Sequence, residues 1–126
     1  MRLKDKVAII TGAGLGIGRE ASVRFGKEGA SVGVFDLNAD AGKETAKLVE
    51  QAGGKALFIQ GDVSKEADVK RAIDETVKAF GKLNILYANA GVLWKDRDKS
   101  VIETTEENWD KVQAINLKGA FFLTKH

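Results

Sequence analysis

The sequence has 126 residues and no cysteine, and it contains a single tyrosine and a single histidine. Without cysteine, the chain can form neither disulfides nor cysteine-ligated zinc or iron–sulfur sites. No apolar run reaches the roughly 18 residues of a membrane-spanning helix, and no signal peptide precedes the first predicted strand. We therefore expect a cytoplasmic protein that has no membrane partner.

An excess of one charge is also missing. The 20 basic and 18 acidic residues leave a formal net charge of +2 and are spread along the chain. Because nucleic-acid binders concentrate basic residues on one face or stripe, we expect no nucleic-acid partner. A hydrophobic content of 44% over 126 residues predicts one core and one domain, over residues 1–126. No metal site is predicted.

A glycine-rich stretch follows the first apolar run. Val7 to Ile10 are mostly β-branched, which is typical of a parallel strand buried on both faces. We expect a helix to begin near Gly16, so that its unpaired N–H groups and the positive end of its dipole can receive a phosphate. The alternative is a tight turn that binds nothing. The spacing Thr-Gly-x-x-x-Gly-x-Gly differs from the commoner G-x-G-x-x-G, which needs glycine at Ile17, and no Walker phosphate loop is present.

An acidic residue, Asp36, ends the second predicted strand, which covers residues 31–35. Dinucleotide-binding folds place a carboxylate about here, where it accepts hydrogen bonds from the adenosine ribose. The alternative is an N-cap for the helix at 39–52, a role that Asn38 or Asp40 could also fill. Because a carboxylate repels a 2′-phosphate and neither Leu15 nor Leu37 supplies a cation, the sequence favours NAD over NADP.

The rest of the chain continues to alternate strands and helices. We predict a strand at 55–60, a helix at 66–80 with Ser64 as its N-cap, a strand at 83–88, a loop at 92–104, and one last helix that Thr105 caps. This alternation predicts an α/β protein with a parallel sheet.

Four further polar or aromatic residues have local interpretations. Asp62 is either a turn residue or an acceptor for the adenine amine, and the sequence leaves both open. Trp94 lies in the loop after the fourth strand and is a candidate wall of a substrate pocket. We interpret Tyr87 as packing in the sheet and assign no catalytic role to His126.

Taken together, these pieces resemble the NAD(H)-dependent branch of the short-chain dehydrogenase/reductase family. The resemblance covers essentially all 126 residues and rests on five elements in order: the glycine-rich turn after Thr11, Asp36, Asp62-Val63, Asn89-Ala90-Gly91, and Asn116 within Asn116-Leu117-Lys118-Gly119. It implies a Rossmann-type doubly wound parallel sheet, of which this chain is the N-terminal half, βαβαβαβ followed by a long helix.

The resemblance also implies roles for individual residues. It places the cofactor against Gly12, Gly14, Leu15, Gly16, Ile17, Gly18, Asp36, Leu37, Asp62, Val63, Asn89, Ala90, Gly91 and Val112. It gives Asn116 a catalytic role, because the backbone carbonyl of the corresponding family residue holds a water molecule in the proton relay. The alternative is a polar residue that kinks the helix, and the two roles are compatible. The cofactor is then NAD, and the substrate is an alcohol or carbonyl compound.

One departure from the family is large. The family's serine and Tyr-x-x-x-Lys pair, which supply the general acid/base, do not occur in these 126 residues. We therefore expect the cofactor-binding part of an oxidoreductase, with this chain alone inactive. The alternative is an inactive dinucleotide-binding or self-associating fragment. A methyltransferase-like fold is less favoured by the glycine spacing.

Family members pair through the last helix, and this helix carries more large apolar residues than one packed face requires: Trp109, Phe121, Phe122 and Leu123. We therefore expect a homodimer or homotetramer built on this helix.

Overall fold

A four-stranded parallel sheet forms the centre of the computed structural model, which describes all 126 residues. Its strands are β1 (Val7–Thr11), β2 (Ser31–Asp36), β3 (Lys55–Gln60) and β4 (Ile85–Tyr87). The spatial order is β3-β2-β1-β4, and every neighbouring pair is parallel. The sheet therefore places the carboxyl ends of all four strands at one edge.

The helices cover both faces of this sheet, as the predicted doubly wound fold requires. They are α1 (Gly16–Lys27), α2 (Ala39–Gln51), α3 (Glu66–Phe80), α4 (Glu106–Gln113) and α5 (Gly119–Lys125). None of them combines the length and apolar character that crossing a membrane requires.

Alternate residues of β1 enter different halves of the core. Ile9 belongs to a cluster with α3 and α5, whereas Ile10 belongs to a cluster that includes Val49 of α2. Both isoleucines are fully buried. The prediction that the first strand is buried on both faces is therefore confirmed.

The last helical stretch differs from its prediction. A π-helical turn, Ala114–Lys118, separates α4 from α5, so the predicted last helix is present but is interrupted around Asn116. The side chain of Asn116, in the middle of this turn, hydrogen-bonds to the backbone of Val92. A π turn carries an extra residue, which changes the direction in which the following side chains leave the helix axis.

Thr105 is an N-cap as predicted, and Asn38, one of the residues considered for the start of α2, caps that helix. Asn38 accepts a hydrogen bond from the N–H of Ala41, and Thr105 accepts one from the N–H of Asn108. The prediction for Ser64 was wrong, because the hydroxyl of Ser64 donates to Asp62 at 2.7 Å. A nearby carboxylate is the stronger acceptor for this hydroxyl.

Helix α5 packs against α3 and supports the loop after β3. Phe122 and Leu123 are buried in the core, and Gly119 lies against Val63, where an added Cβ would be 3.1 Å from the Cβ of Val63. At the surface, hydrogen bonds from Lys125 and then His126 lower the pKa of Glu66. These contacts fix the position of Val63.

Candidate cofactor site

A cleft of about 270 Å³ opens at the carboxyl ends of the strands. Its walls come from the segments that follow each strand, together with the π turn: Gly12, Phe35, Asp36, Leu37, Gly61, Asp62, Val63, Ala90, Gly91, Val92 and Ile115. Open parallel sheets bind ligands at this edge. Seven of the predicted cofactor residues line this cleft: Gly12, Asp36, Leu37, Asp62, Val63, Ala90 and Gly91.

The glycine-rich turn leaves the N-terminus of α1 free of side chains. Gly16 begins α1 with a φ of 54°, and an added Cβ there would meet no atom within 4 Å. At Gly18, by contrast, an added Cβ would lie 2.2 Å from the carbonyl oxygen of Gly12. Leu15 and Ile17 point away from the core and are 65% and 72% exposed. Backbone amides of the helix start can therefore approach an anion closely.

The carboxylate of Asp36 is held by two backbone amides. Its Oδ2 accepts a hydrogen bond from the N–H of Gly14 at 2.7 Å, and its Oδ1 accepts one from the N–H of Asn38 at 2.8 Å. The interpretation of Asp36 as the cap of α2 was wrong, because the side chain of Asn38 caps that helix. Asp36 therefore forms a negatively charged part of the cleft wall beside the exposed Leu37.

Asp62 is a turn residue that also lines the cleft. Its Oδ1 accepts hydrogen bonds from the N–H and the hydroxyl of Ser64, at 2.9 and 2.7 Å. Its own N–H donates to Asp68 of α3 at 2.9 Å. The turn interpretation of Asp62 is thus confirmed, and contact with an adenine stays a prediction.

The segment after β4 is tied to the glycine-rich turn. The side-chain amide of Asn89 donates to the carbonyl oxygens of Thr11 and Gly12, at 3.1 and 3.3 Å. In return, the hydroxyl of the fully buried Thr11 accepts hydrogen bonds from the N–H groups of Asn89 and Ala90, both at 3.1 Å. These four hydrogen bonds fix the distance between the segments that follow β1 and β4, which determines the width of the cleft there.

Asn116 reaches the cleft wall through its side chain. Its Oδ1 accepts a hydrogen bond from the N–H of Val92 at 2.7 Å, and its Nδ2 donates to the carbonyl oxygen of Val92 at 3.0 Å. The π turn thereby holds Val92 in the cleft wall. Val112 is half-buried in α4 and does not line the cleft, whereas Ile115 does.

The sequence interpretation missed four cleft residues: Phe35, Gly61, Val92 and Ile115. Gly61 had a detectable signal, because it directly precedes Asp62 at the end of a strand. An added Cβ at Gly61 would lie 2.4 Å from the ring of Phe35. Ile115 had no detectable sequence signal, since its position in the cleft wall depends on the π turn.

Two aromatic side chains lie outside the cleft. Trp94, the candidate pocket wall, packs its ring against the guanidinium of Arg97 at 5.5 Å and is not a lining residue. Tyr87 is partly buried against the core on the α1 and α2 side, so the prediction of sheet packing is confirmed.

Comparison with known proteins identifies the family of the chain. The family model described as short chain dehydrogenase matches residues 6–126. An uncharacterized oxidoreductase of Thermotoga maritima is 44% identical over 126 residues, which are 100% of this chain and 48% of that protein. The (3R)-3-hydroxyacyl-CoA dehydrogenase of Mus musculus is 37% identical over 133 residues, covering 99% of this chain and 50% of that protein.

Solved structures give the same result. The crystal structure of a hydroxysteroid dehydrogenase from Escherichia coli superimposes with a TM-score of 0.90 at 34% identity, covering 98% of this chain and 51% of that one. A short-chain dehydrogenase/reductase of Serratia marcescens, solved as a double mutant, superimposes with a TM-score of 0.93 at 32% identity, covering 99% and 50% of the two chains.

The chain spans about half the length of these relatives. The match of sequence and structure extends from the first strand to the last helix. This chain belongs to the short-chain dehydrogenase/reductase family of oxidoreductases.

Proposed function

We propose that the cleft binds NAD(H) and that the protein transfers hydride between NAD(H) and an alcohol or carbonyl substrate. The observation that carries this proposal is the carboxylate of Asp36, which two backbone amides hold at the end of β2 in the cleft wall. A carboxylate fixed in this way can accept hydrogen bonds from both hydroxyls of an adenosine ribose.

The rest of the cleft fits a dinucleotide. The first amides of α1 carry no side-chain cap, because Leu15 makes no capping hydrogen bond, and Gly16 and Gly18 add no side chain of their own. This surface suits the pyrophosphate. Asp62, Val63 and Ile115, which line the same cleft as Asp36, would border the adenine.

The charge of the cleft wall favours NAD over NADP. A 2′-phosphate on the ribose would stand against the carboxylate of Asp36, and the neighbouring Leu37 is an exposed apolar side chain. Two negative charges in contact repel each other strongly in a partly desolvated cleft. We therefore assign NAD as the preferred cofactor.

The nicotinamide supplies or accepts the hydride when it is bound, and the protein must donate a proton to the carbonyl oxygen in reduction or remove the hydroxyl proton in oxidation. We propose that Asn116 contributes through its backbone in the π turn, since its side chain is occupied by Val92. Tyr87, the one tyrosine in these 126 residues, packs in the sheet and takes no part.

Hydride transfer can be measured directly. We expect the intact protein to reduce NAD in the presence of at least one member of a panel of secondary alcohols, detected by NADH absorbance, and to use NADP far less well. Tighter binding of S-adenosylmethionine than of NAD would contradict the proposal. Binding of NAD without oxidation of any alcohol, and of NADH without reduction of any ketone, would support the alternative of a binding protein.

We further propose that a second copy of the protein covers the exposed face of the last helical stretch. Trp109, Leu117 and Phe121 are 58%, 66% and 58% exposed on this face. Leu117 and Phe121 are four residues apart and line one shallow groove with Ala114, and together with Trp109 on α4 we call them the apolar stripe. The resemblance to the family gives this stripe a two-fold symmetric partner.

We expect Phe121→Glu to raise the dimer dissociation constant by about a hundredfold, because it replaces a large apolar contact of the stripe with a charge. Sedimentation of the intact protein at micromolar concentration measures the change. Val77→Glu is the matched control, since Val77 is an exposed apolar residue that lies on α3 and not on the last helical stretch. A wild-type protein that sediments as a monomer would contradict this interface.

A further inference from the structure

We infer that Arg19 and Thr45 are positioning residues that set the discrimination between NAD and NADP, because they hold Gly14 and, through it, the carboxylate of Asp36. This inference rests on the proposed function, in which Asp36 binds the adenosine ribose. Neither Arg19 nor Thr45 lines the cleft, so both act only through other residues.

Thr45 connects α1, α2 and the glycine-rich turn. Its side chain is fully buried on α2, and its Oγ1 accepts a hydrogen bond from Nε of Arg19 at 3.0 Å. The same oxygen lies 3.3 Å from the carbonyl oxygen of Gly14 and 3.1 Å from that of Ala41. The carbonyl of Ala41 also receives a hydrogen bond from Nη2 of Arg19, at 3.2 Å.

Of the two carbonyl oxygens within reach of the Thr45 hydroxyl, that of Gly14 therefore depends more on its proton than that of Ala41 does. Arg19 already donates to Ala41, whereas Thr45 supplies the side-chain donor that reaches the carbonyl of Gly14. A hydroxyl that accepts from a guanidinium is polarised and becomes a better donor. Arg19 thus strengthens the bond that Thr45 makes to Gly14.

Gly14 transmits this position to Asp36. Its N–H donates to Oδ2 of Asp36 at 2.7 Å. An added Cβ on Gly14 would lie 2.8 Å from Cγ of Asp36 and 3.0 Å from Cβ of Ala41, so the backbone of residue 14 is in direct contact with the carboxylate. Any shift of Gly14 therefore moves the carboxylate or breaks its hydrogen bond.

The orientation of Asp36 affects the two cofactors differently. A well-held carboxylate offers its oxygens to the ribose hydroxyls of NAD and repels the 2′-phosphate of NADP. When the hold is loosened, NAD loses hydrogen bonds, whereas NADP is relieved of part of the repulsion. A general loss of structure would instead weaken both cofactors equally, so the ratio of the two affinities reports on this chain of contacts.

The primary test compares two buried helical threonines in the intact protein. Thr45→Val removes the hydroxyl that reaches Gly14. Thr76→Val is the matched control, because Thr76 is also fully buried and its hydroxyl donates to the carbonyl of Ala72 at 2.7 Å, but it lies on α3. Titration with NAD and NADP gives both dissociation constants for each variant.

We expect Thr45→Val to raise the dissociation constant for NAD about fivefold to tenfold and to change that for NADP by less than about twofold. Thr76→Val should leave the ratio of the two constants unchanged, and Thr45→Ser should restore the wild-type ratio. Equal losses for both cofactors in Thr45→Val would overturn the inference.

Arg19 provides a second, independent test from the protein surface. Arg19→Met should shift the ratio in the same direction as Thr45→Val, whereas Arg24→Met, an exposed position one to two turns further along α1, should not. This pair keeps the test valid if Thr45→Val does not fold. An unchanged ratio in Arg19→Met would overturn the role of Arg19.

A double-mutant cycle identifies Asp36 as the residue through which the effect passes. In the Asp36→Asn background, Thr45→Val should change the ratio by less than about twofold, because the charge that it positions is already absent. Full additivity would overturn the inference while leaving the NAD preference of the wild type intact. A wild-type protein without that preference would overturn the proposed function itself, so the two failures are distinguishable.

Discussion

The double substitution Asp36→Ala with Leu37→Arg is expected to shift the ratio of NADP to NAD affinity by about a hundredfold towards NADP. Removal of the carboxylate eliminates charge-assisted hydrogen bonds to the ribose, which are worth about 1.5–3 kcal/mol, or roughly tenfold or more in affinity. The arginine adds a guanidinium that can bind a 2′-phosphate through two parallel hydrogen bonds. Leu37 is 67% exposed beside the cleft, so the new side chain can be accommodated without burial of its charge.

The structure adds a complication to this variant. Because Asp36 accepts hydrogen bonds from the amides of Gly14 and Asn38, alanine leaves both donors without this partner. Asp36→Asn with Leu37→Arg is the matched variant, since the asparagine removes the charge and keeps one acceptor oxygen. We expect it to shift preference in the same direction with a smaller loss of stability. Titration of each variant with both cofactors measures the effect, and an unchanged ratio in both variants would refute the assignment of Asp36.

Gly18→Ala is expected to lower the free energy of unfolding by about 3 kcal/mol, at the upper end of the usual cost of overpacking. The added Cβ would lie 2.2 Å from the carbonyl oxygen of Gly12 and 2.8 Å from its carbonyl carbon. These are backbone atoms in the turn, so no side-chain rotation relieves the clash. The turn must open, and the approach of α1 to β1 must widen with it.

Gly16→Ala separates the cost of steric overlap from the cost of an unfavourable backbone conformation. Gly16 also belongs to the glycine-rich turn and has a φ of 54°, but an added Cβ would meet nothing within 4 Å. We expect Gly16→Ala to lower the free energy of unfolding by only about 1–2 kcal/mol, which is the cost of a left-handed backbone conformation for alanine. Urea unfolding followed by circular dichroism measures both variants. If Gly16→Ala were less stable than Gly18→Ala, close packing on Gly12 would not explain why residue 18 is a glycine.

The chemistry of the local chain was enough to predict the order and type of most elements. Strand β3 and helix α3 begin and end where the sequence pattern placed them, because apolar period and flanking glycines act over a few neighbouring residues. The start of α1 at Gly16 follows from the same local signals. These features need no knowledge of distant parts of the chain.

Partners that are distant in sequence decided the rest. Asn38 caps α2, and the contact of Asp36 with the amide of Gly14, twenty-two residues earlier, holds the Asp36 carboxylate in the cleft wall. A kink at Asn116 was one interpretation of the sequence, but the π turn depends on the bond of Asn116 to Val92, twenty-four residues away, and Ile115 enters the cleft through that turn. Each of these contacts depends on strand order and helix packing, which a local sequence pattern does not contain. Local chemistry therefore determined the elements, and the tertiary arrangement determined which of their side chains meet.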